Sequence, residues 1–263
     1  MKILASLFLL FSIPIFAQQQ TEYHLLSSVS SDATIATIDK FGNYYLASPH
    51  KLFKYSSDGK MLYPYEEFRY GSIGSIDVTN PLKIVVYFPD MMKAVILDRF
   101  LSPLVTYDFL QLDYSSVGAV CGSTDGRIWF YDIAALKLKK IDETGTILRE
   151  SQSLNNVLNT IPAPNFLLEY DNRVFMNDSS LGILVFDIFG SYQKTIPILG
   201  LTKFQLTERN IIYADNQKLY SYNMLSLATV ALTALPEENF SQAVFGKNSL
   251  LLIKDGKALF YSF

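Results

Sequence analysis

Two carboxylates in apolar surroundings are the side chains best suited to chemistry in this sequence. Asp77 ends the segment 72–77, and Glu169 ends the segment 165–169. Carboxylate oxygens are the ligands that hard divalent cations prefer, and they also serve in acid–base catalysis. A metal site requires that the two side chains meet, which depends on the elements that carry them. The simpler interpretation, that each carboxylate caps a turn or is solvated at a strand end, is favoured.

The other reactive side chains are few. The sequence has two histidines, His24 and His50, and one cysteine, Cys121. Neither histidine has a nucleophile or an acidic motif beside it, and no Gly-x-Ser-x-Gly, His-Glu-x-x-His or phosphate-binding loop occurs. Cys121 follows an apolar run without a cationic neighbour, so we expect a small buried hydrophobic residue and not a catalytic thiol. The sequence therefore predicts a protein without catalytic activity and without a cofactor.

Composition and charge exclude several classes of protein. The 263 residues are 49% hydrophobic and 18% charged, which is too apolar for a disordered chain and enough for a full-sized core. The 22 basic residues are outnumbered by 25 acidic ones and form no basic block, so nucleic acid is not an expected partner. Three histidine and cysteine residues in total are too few for a structural zinc site with four such ligands.

The first residues have the organisation of a secretory signal peptide. Lys2 precedes the apolar run 3–16, which contains Pro14, and Ala17 then precedes three glutamines. A positive start, a short apolar region and a small final residue are the parts of such a signal. We therefore predict a signal peptide at 1–17, and a mature chain at 18–263 that lacks a membrane span. Export to the periplasm, the outer membrane or the extracellular space is expected.

Six short apolar segments recur along the chain and indicate a repeated unit. They end 36 to 45 positions apart, at Tyr55, Leu97, Ile141, Phe186, Tyr222 and Tyr261. Turns that open with Asp or Asn and close with Gly, such as 142–145, accompany these segments. Each unit reads as four short strands, and no segment has the period and caps of a long helix. This pattern predicts one all-β domain at 18–263, a six-bladed β-propeller of four-stranded blades.

The two ends of the sequence predict how the ring closes. The sixth unit contains three strands before Phe263, whereas the segment 22–29 is a strand without a nearby hairpin partner. Pairing this N-terminal strand into the last blade completes its fourth position and covers two open sheet edges. We therefore predict a ring that the N-terminal strand closes.

The first unit resembles the NHL repeat of six-bladed propellers. Asp39, Gly42 and Asn43 follow an apolar residue and precede an aromatic strand, and the turn 56–59 ends the last strand of the unit. The match is partial in the third and fourth units, and only the strand rhythm is shared in the others. The resemblance implies the fold. Among similar propellers, the sugar lactonases hold a divalent cation in the central channel with carboxylates and an asparagine.

A propeller presents two faces, and the predicted loops differ between them. The loops between blades, together with those joining the second and third strands of a blade, form the first face, and the other hairpin turns form the second face. First-face loops carry aromatic, methionine and aliphatic residues, whereas second-face turns carry mainly Asp, Asn, Gly, Ser and Thr. Apolar loop tips on a rigid scaffold are typical of protein interfaces. The predicted protein-binding residues are Tyr63, Tyr65, Phe68, Tyr70, Phe88, Met91, Met92, Ile133 and Leu136.

These observations favour a non-catalytic, exported interaction module whose partner is another protein, for example an outer-membrane channel or secretion component. The alternative for the apolar loops is that their side chains cover blade edges. A second function is a metal-dependent enzyme of the lactonase or esterase type, with Asp77 and Glu169 in the channel. A third is a carbohydrate-binding module, because 17 tyrosines offer rings that stack on sugars.

Overall fold

The computed structural model describes residues 22–215, 218–232 and 235–263. Within these ranges the chain forms six four-stranded antiparallel sheets, the blades. The predicted signal peptide at 1–17 lies outside the described residues.

The strands follow chain order from the inner to the outer edge in blades 1 to 5. Blades 1 to 3 contain β2 (Ile35–Ile38), β3 (Tyr44–Ser48), β4 (Lys51–Tyr55), β5 (Met61–Glu66), β6 (Ser75–Asp77), β7 (Ile84–Phe88), β8 (Lys93–Leu97), β9 (Pro103–Asp108), β10 (Val117–Gly122), β11 (Ile128–Asp132), β12 (Lys137–Ile141) and β13 (Ile147–Glu150). Blades 4 and 5 contain β14 (Phe166–Tyr170), β15 (Arg173–Asp178), β16 (Gly182–Asp187), β17 (Tyr192–Ile196), β18 (Gln205–Thr207), β19 (Asn210–Asp215), β20 (Lys218–Asn223) and β21 (Thr229–Leu232).

The sixth blade combines both ends of the chain. It contains β22 (Gln242–Phe245), β23 (Ser249–Lys254), β24 (Lys257–Ser262) and β1 (His24–Ser30). β1 pairs antiparallel with β24, from His24 opposite Ser262 to Ser30 opposite Lys257. The prediction of an N-terminal strand that completes the last blade is therefore confirmed.

Short turns with a repeated hydrogen-bond pattern set the strand ends. In the turn at Asp39, its carbonyl accepts from Gly42 N at 3.0 Å while its carboxylate accepts from Phe41 N at 2.8 Å. Asp187 does the same with Gly190 N at 3.0 Å and Phe189 N at 2.9 Å. The aspartate thus caps its own turn, and the fourth residue takes a positive φ that glycine adopts without strain.

The core is distributed between blades. The described residues form six hydrophobic clusters, each of which joins two consecutive blades, including the sixth and the first. At that last junction, Tyr44 packs edge-on against Phe260 with ring centroids 5.6 Å apart. A Cβ on Gly59 would lie 2.8 Å from the Phe260 ring and from Ser27, so the turn of blade 1 approaches blade 6 closely. The ring is therefore closed by packing as well as by strand pairing.

Helical structure is confined to connections in the described chain. A 3₁₀ turn, Pro89–Met91, joins β7 to β8, and the helix α1 (Leu154–Leu158) lies in the long connection between blades 3 and 4. None of the helices in the described ranges has the length and apolar character needed to cross a membrane.

Candidate functional site

The innermost strand of each blade lies where the sequence predicted it. The sequence predicts these six strands near Ala33–Ile38, Ser72–Asp77, Ser116–Cys121, Asn165–Glu169, Leu201–Leu206 and Ser241–Phe245. All six overlap the strands β2, β6, β10, β14, β18 and β22. Asp77 ends β6 of blade 2, and Glu169 lies in β14 of blade 4, on either side of blade 3.

Glu169 is a buried carboxylate that bonds only to the neighbouring blade. Its Oε1 accepts from Thr124 N at 2.9 Å and from Thr124 Oγ1 at 2.8 Å. Its Oε2 accepts from the indole Nε1 of the fully buried Trp129 at 2.6 Å. The side chain therefore fastens blade 4 to the turn and the second strand of blade 3.

Asp77 fastens blade 2 to blade 3 in a similar way. Its Oδ2 accepts from Gly122 N at 2.8 Å, and its Oδ1 accepts from Thr79 N at 2.9 Å and from the Thr79 hydroxyl. Burial raises the pKa of Asp77 above its ordinary value of 3.8, and the charge of Glu169 adds to the increase. The hydrogen bonds from Thr79 and Gly122 oppose this shift but do not cancel it.

The raised pKa of Asp77 predicts an unusual pH dependence of stability. Because the folded state holds this proton more tightly than the unfolded state, the contribution of Asp77 is complete below pH 3.8 and is lost as pH rises through the folded-state pKa. We expect Asp77→Asn to gain stability relative to wild type as pH rises through that window. Urea unfolding of both proteins at a series of pH values between 3.5 and 7 measures the difference.

Asp142→Asn is the matched control for this measurement, with the opposite sign. Asp142 is partly exposed at a blade-3 turn, and the hydrogen bond from the Thr144 hydroxyl lowers its pKa. Its contribution is therefore present above pH 3.8 and is lost on acidification. Asp142→Asn should lose stability relative to wild type as pH rises. A parallel pH dependence of the two variants would contradict the assignment for Asp77.

The two carboxylates do not form a ready-made metal site. All four of their oxygens accept hydrogen bonds from protein donors, as given above. The described residues contain no group of three or more His, Cys, Asp or Glu side chains that could hold a metal ion. Fastening of blades to one another is the role that the contacts of Asp77 and Glu169 support.

The remaining reactive side chains also lie in structural positions. His24 is exposed on the outermost strand β1, and His50, in the turn after β3, has Nδ1 3.0 Å from Gly71 O. Cys121 is fully buried in β10, and burial raises the pKa of its thiol. Sequence reasoning missed Lys203, which contacts Gln242 of β22 and Ala36 O of β2, and whose pKa burial lowers to about 8.

The predicted protein-binding residues divide into exposed and inward-facing groups. Three are exposed at first-face loops: Phe68 is 62% exposed, Met91 43% and Ile133 39%. They lie in the connection from blade 1 to blade 2, the β7–β8 turn and the β11–β12 turn. These three side chains are available to a partner.

The other six predicted residues pack largely or wholly into the protein. Tyr65 and Phe88 are buried in the core between blades 1 and 2, so their prediction as contact residues is wrong. Phe88 is the last residue of β7, where Tyr70 covers it with ring centroids 5.6 Å apart. The partly buried residues pack against hydrophobic clusters, and they are Tyr63, Tyr70, Met92 and Leu136.

Exposed apolar side chains also occur on the second face, where the sequence predicts turns of mainly Asp, Asn, Gly, Ser and Thr. Phe41, Phe100 and Phe189 are exposed, and each is the third residue of a second-face turn that opens with aspartate. A cation lies near every one of these rings, with Arg99 4.5 Å from the centroid of Phe100. The backbone of each turn is set by its aspartate and by a fourth residue at positive φ, which is Gly42, Leu101 or Gly190, and the third side chain points outward.

A cleft between blades 3 and 4 opens on the second face, and sequence reasoning did not identify it. It has a volume of about 370 Å³ and is lined by Thr124, Asp125, Arg127, Lys140, Leu148, Arg149, Glu169, Asn172, Ile188 and Phe189. These residues come from two blades and span 66 positions of the chain, counted from 124 to 189. The repeat pattern alone places the turns of adjacent blades side by side, but it does not reveal which side chains leave a space.

Comparison with known proteins supports the fold and no narrower class. No family model matches the chain, and no curated protein matches its sequence. Similar solved structures include the Neurospora crassa Pan2 WD40 domain, at 8% identity and a TM-score of 0.65 over 93% of this chain and 96% of that one.

Two further similar structures are lyases. Catalytically inactive virginiamycin B lyase from Staphylococcus aureus, with quinupristin, has 13% identity and a TM-score of 0.64 over 92% of this chain and 100% of that one. A streptogramin B lyase has 16% identity and a TM-score of 0.59 over 92% of this chain and 86% of that one. Identities this low carry the fold alone. The protein is therefore a six-bladed β-propeller.

Proposed function

We propose that this protein is an exported, non-catalytic β-propeller that binds another protein through its first face. The observation that carries the proposal is the exposure of Phe68, Met91 and Ile133 on loops held by the rigid ring. Large apolar side chains at such positions are the anchors that protein interfaces use. The partner that we infer is an outer-membrane channel or another component of a secretion complex.

The hydrogen bonds of Asp77 and Glu169 support the proposal that the protein is not an enzyme. Both oxygens of Glu169 and one oxygen of Asp77 accept hydrogen bonds from blade 3, and the other Asp77 oxygen accepts from Thr79 of its own blade. Both histidines of this chain lie away from the inner strands. Many tyrosines are in the core, among them Tyr44, Tyr45, Tyr87 and Tyr107, which weakens the case for sugar stacking.

The relation to NHL-type propellers and the exported location are parts of the same proposal. The capped turns at Asp39 and Asp187 agree with the NHL-like pattern of the sequence. Residues 1–17 have the organisation of a signal peptide. A ring at an outer-membrane assembly makes contacts with a partner there, and the first face offers them.

Substitution of the three exposed first-face residues tests the proposal. The tagged triple variant Phe68→Ser, Met91→Ser and Ile133→Ser is expected to lose about tenfold or more in partner recovery, because each side chain contributes buried apolar area at the interface. Recovery is measured by affinity capture from native membranes with quantitative mass spectrometry, as the ratio to wild type for each co-purifying protein.

A triple variant of the second face is the matched control. Phe41→Ser, Leu82→Ser and Leu225→Ser remove three apolar side chains that are also exposed in the described structure. This control should recover the same partner as wild type. Equal recovery by the first-face variant and wild type, or a loss in the control alone, would show that the first face is not the interface.

A further inference from the structure

The cleft between blades 3 and 4 runs radially across the second face. Its inner end lies at Thr124 and Glu169, beside the innermost strands, and its outer end lies at Leu148 and Arg149 of β13, the outermost strand of blade 3. Strands of a sheet are about 4.8 Å apart, so the distance from inner to outer strand is about 14 Å. This length matches about four residues of an extended chain.

Positive charge predominates at the surface of this cleft. Lys140 Nζ lies 2.8 Å from Asp125 Oδ2, and Arg127 Nη1 lies 3.8 Å from the same oxygen. Arg149 forms no ion pair within the ranges that the structure describes, and its Nη1 donates only to Leu148 O. The cleft is thus lined by three cations and two carboxylates, and Glu169, at its inner end, accepts hydrogen bonds from Thr124 and Trp129.

Arg127, which lines the cleft, has one hydrogen-bond donor without an acceptor in the described part of the chain. Arg127 Nε is buried and has no hydrogen-bond partner among the described residues. A buried donor without an acceptor costs free energy, and such a group calls for a water or ligand oxygen. A carboxylate bound at the Arg127 guanidinium would add a charge-assisted hydrogen bond there.

An apolar wall lies beside these cations. Leu148, Ile188 and Phe189 line the outer half of the cleft, and Phe189 is 60% exposed. The Arg149 guanidinium lies 5.8 Å from the centroid of the Phe189 ring. The site thus combines two arginines for carboxylates with a surface for an aliphatic or aromatic side chain.

We propose that this cleft binds an extended, acidic peptide segment of a partner protein, with its carboxylates at Arg127 and Arg149 and an apolar side chain against Leu148 and Phe189. An extended peptide fits because the cleft runs from the inner strands to the outermost strand of blade 3. The charged and apolar residues of the cleft follow one another along that direction. This site is separate from the first face, so it does not depend on the interface proposed above.

An array of immobilised pentapeptides tests the proposal. Each pentapeptide carries acidic, amide or basic residues. Each of these three charge types is present both with and without one Phe or Leu. The purified mature protein is expected to bind acidic members that contain Phe or Leu, and their amide counterparts about tenfold less, since charge-assisted hydrogen bonds are lost. Binding should weaken as salt screens the charges.

Two arginine variants make the test specific to the cleft. Arg149→Gln, at an exposed position where folding is not at risk, should reduce binding of the acidic members about threefold to tenfold. Arg99→Gln is the matched control, because Arg99 also lies over a phenylalanine at a second-face turn but does not line the cleft. It should bind the array as wild type does.

Three outcomes would overturn the proposal. They are equal binding of acidic and amide members, acidic binding that Arg149→Gln leaves unchanged, and full displacement of the peptides by millimolar inorganic phosphate, which would indicate a site for small anions. None of these outcomes bears on partner capture by the first face, so failure here and failure of the proposed function are distinguishable.

Discussion

A mature chain that begins at residue 31, and so lacks β1, is expected to lose its stable ring. β1 pairs with β24 at six positions, and each backbone hydrogen bond contributes about 1 kcal/mol. The loss is thus about 6 kcal/mol, which is a large part of the roughly 5–15 kcal/mol that typical domains have. Deletion also exposes β24 as an open edge that invites association between chains. Urea unfolding and size-exclusion chromatography measure both effects against the chain that begins at residue 18.

A synthetic peptide of residues 22–31 provides the control for this deletion. Added in trans, it should bind the vacant edge of β24 and restore much of the lost stability, because the register of pairing is fixed from His24 to Ser30. The same peptide with Ser28 and Val29 replaced by proline lacks backbone donors and should not restore it. Unfolding of the truncated chain at the same urea concentration as the longer one would contradict the role of β1 in closure.

Replacing Glu169 with alanine is expected to destabilise the protein by about 3 kcal/mol, because buried donors lose their acceptor and a space is left behind. The main cost falls on Trp129, whose ring is fully buried and whose indole Nε1 donates to Glu169 Oε2 at 2.6 Å. Thr124 loses two bonds but lies at an exposed turn, where water can replace the carboxylate. Urea unfolding at neutral pH measures the change.

Two comparisons isolate the inter-blade bond. Glu150→Ala, on the exposed edge strand of blade 3, removes a carboxylate that pairs with Lys137 at 2.6 Å and should cost at most about 1 kcal/mol. Combining Glu169→Ala with Trp129→Phe should cost less than the sum of the single changes, since both remove the same bond. A Glu169→Ala effect as small as that of Glu150→Ala would refute the fastening role.

The fold followed from the sequence because its determinants are local. In the turn Asp187–Gly190, the aspartate accepts hydrogen bonds from the following backbone donors and the glycine takes a positive φ. Four residues are therefore enough to predict a hairpin of this kind. The last unit lacks a fourth strand, and the N-terminal strand lacks a nearby partner, so the sequence predicts that the two pair. The structure confirms this pairing of β1 with β24.

The sites were harder to predict because they depend on neighbouring blades. Phe88 precedes a proline, which favours a loop. β7 is buried along its whole length, so its sequence lacks the alternation of apolar and polar residues that would show where the strand ends. Glu169 looked solvated or metal-binding, whereas its partners Thr124 and Trp129 lie 45 and 40 positions away. No local pattern encodes such contacts.

Site-specific photo-crosslinking in the cells that make the protein tests most directly whether it works by binding another protein through the first face. A photoreactive amino acid is placed at Met91 or Phe68, and at Leu225 on the second face for comparison, since all three side chains are exposed. We predict one discrete crosslinked partner at both Met91 and Phe68, and little or none of that partner at Leu225. The absence of a discrete product at both first-face positions, or the same product in equal amount at Leu225, would contradict the proposed interface.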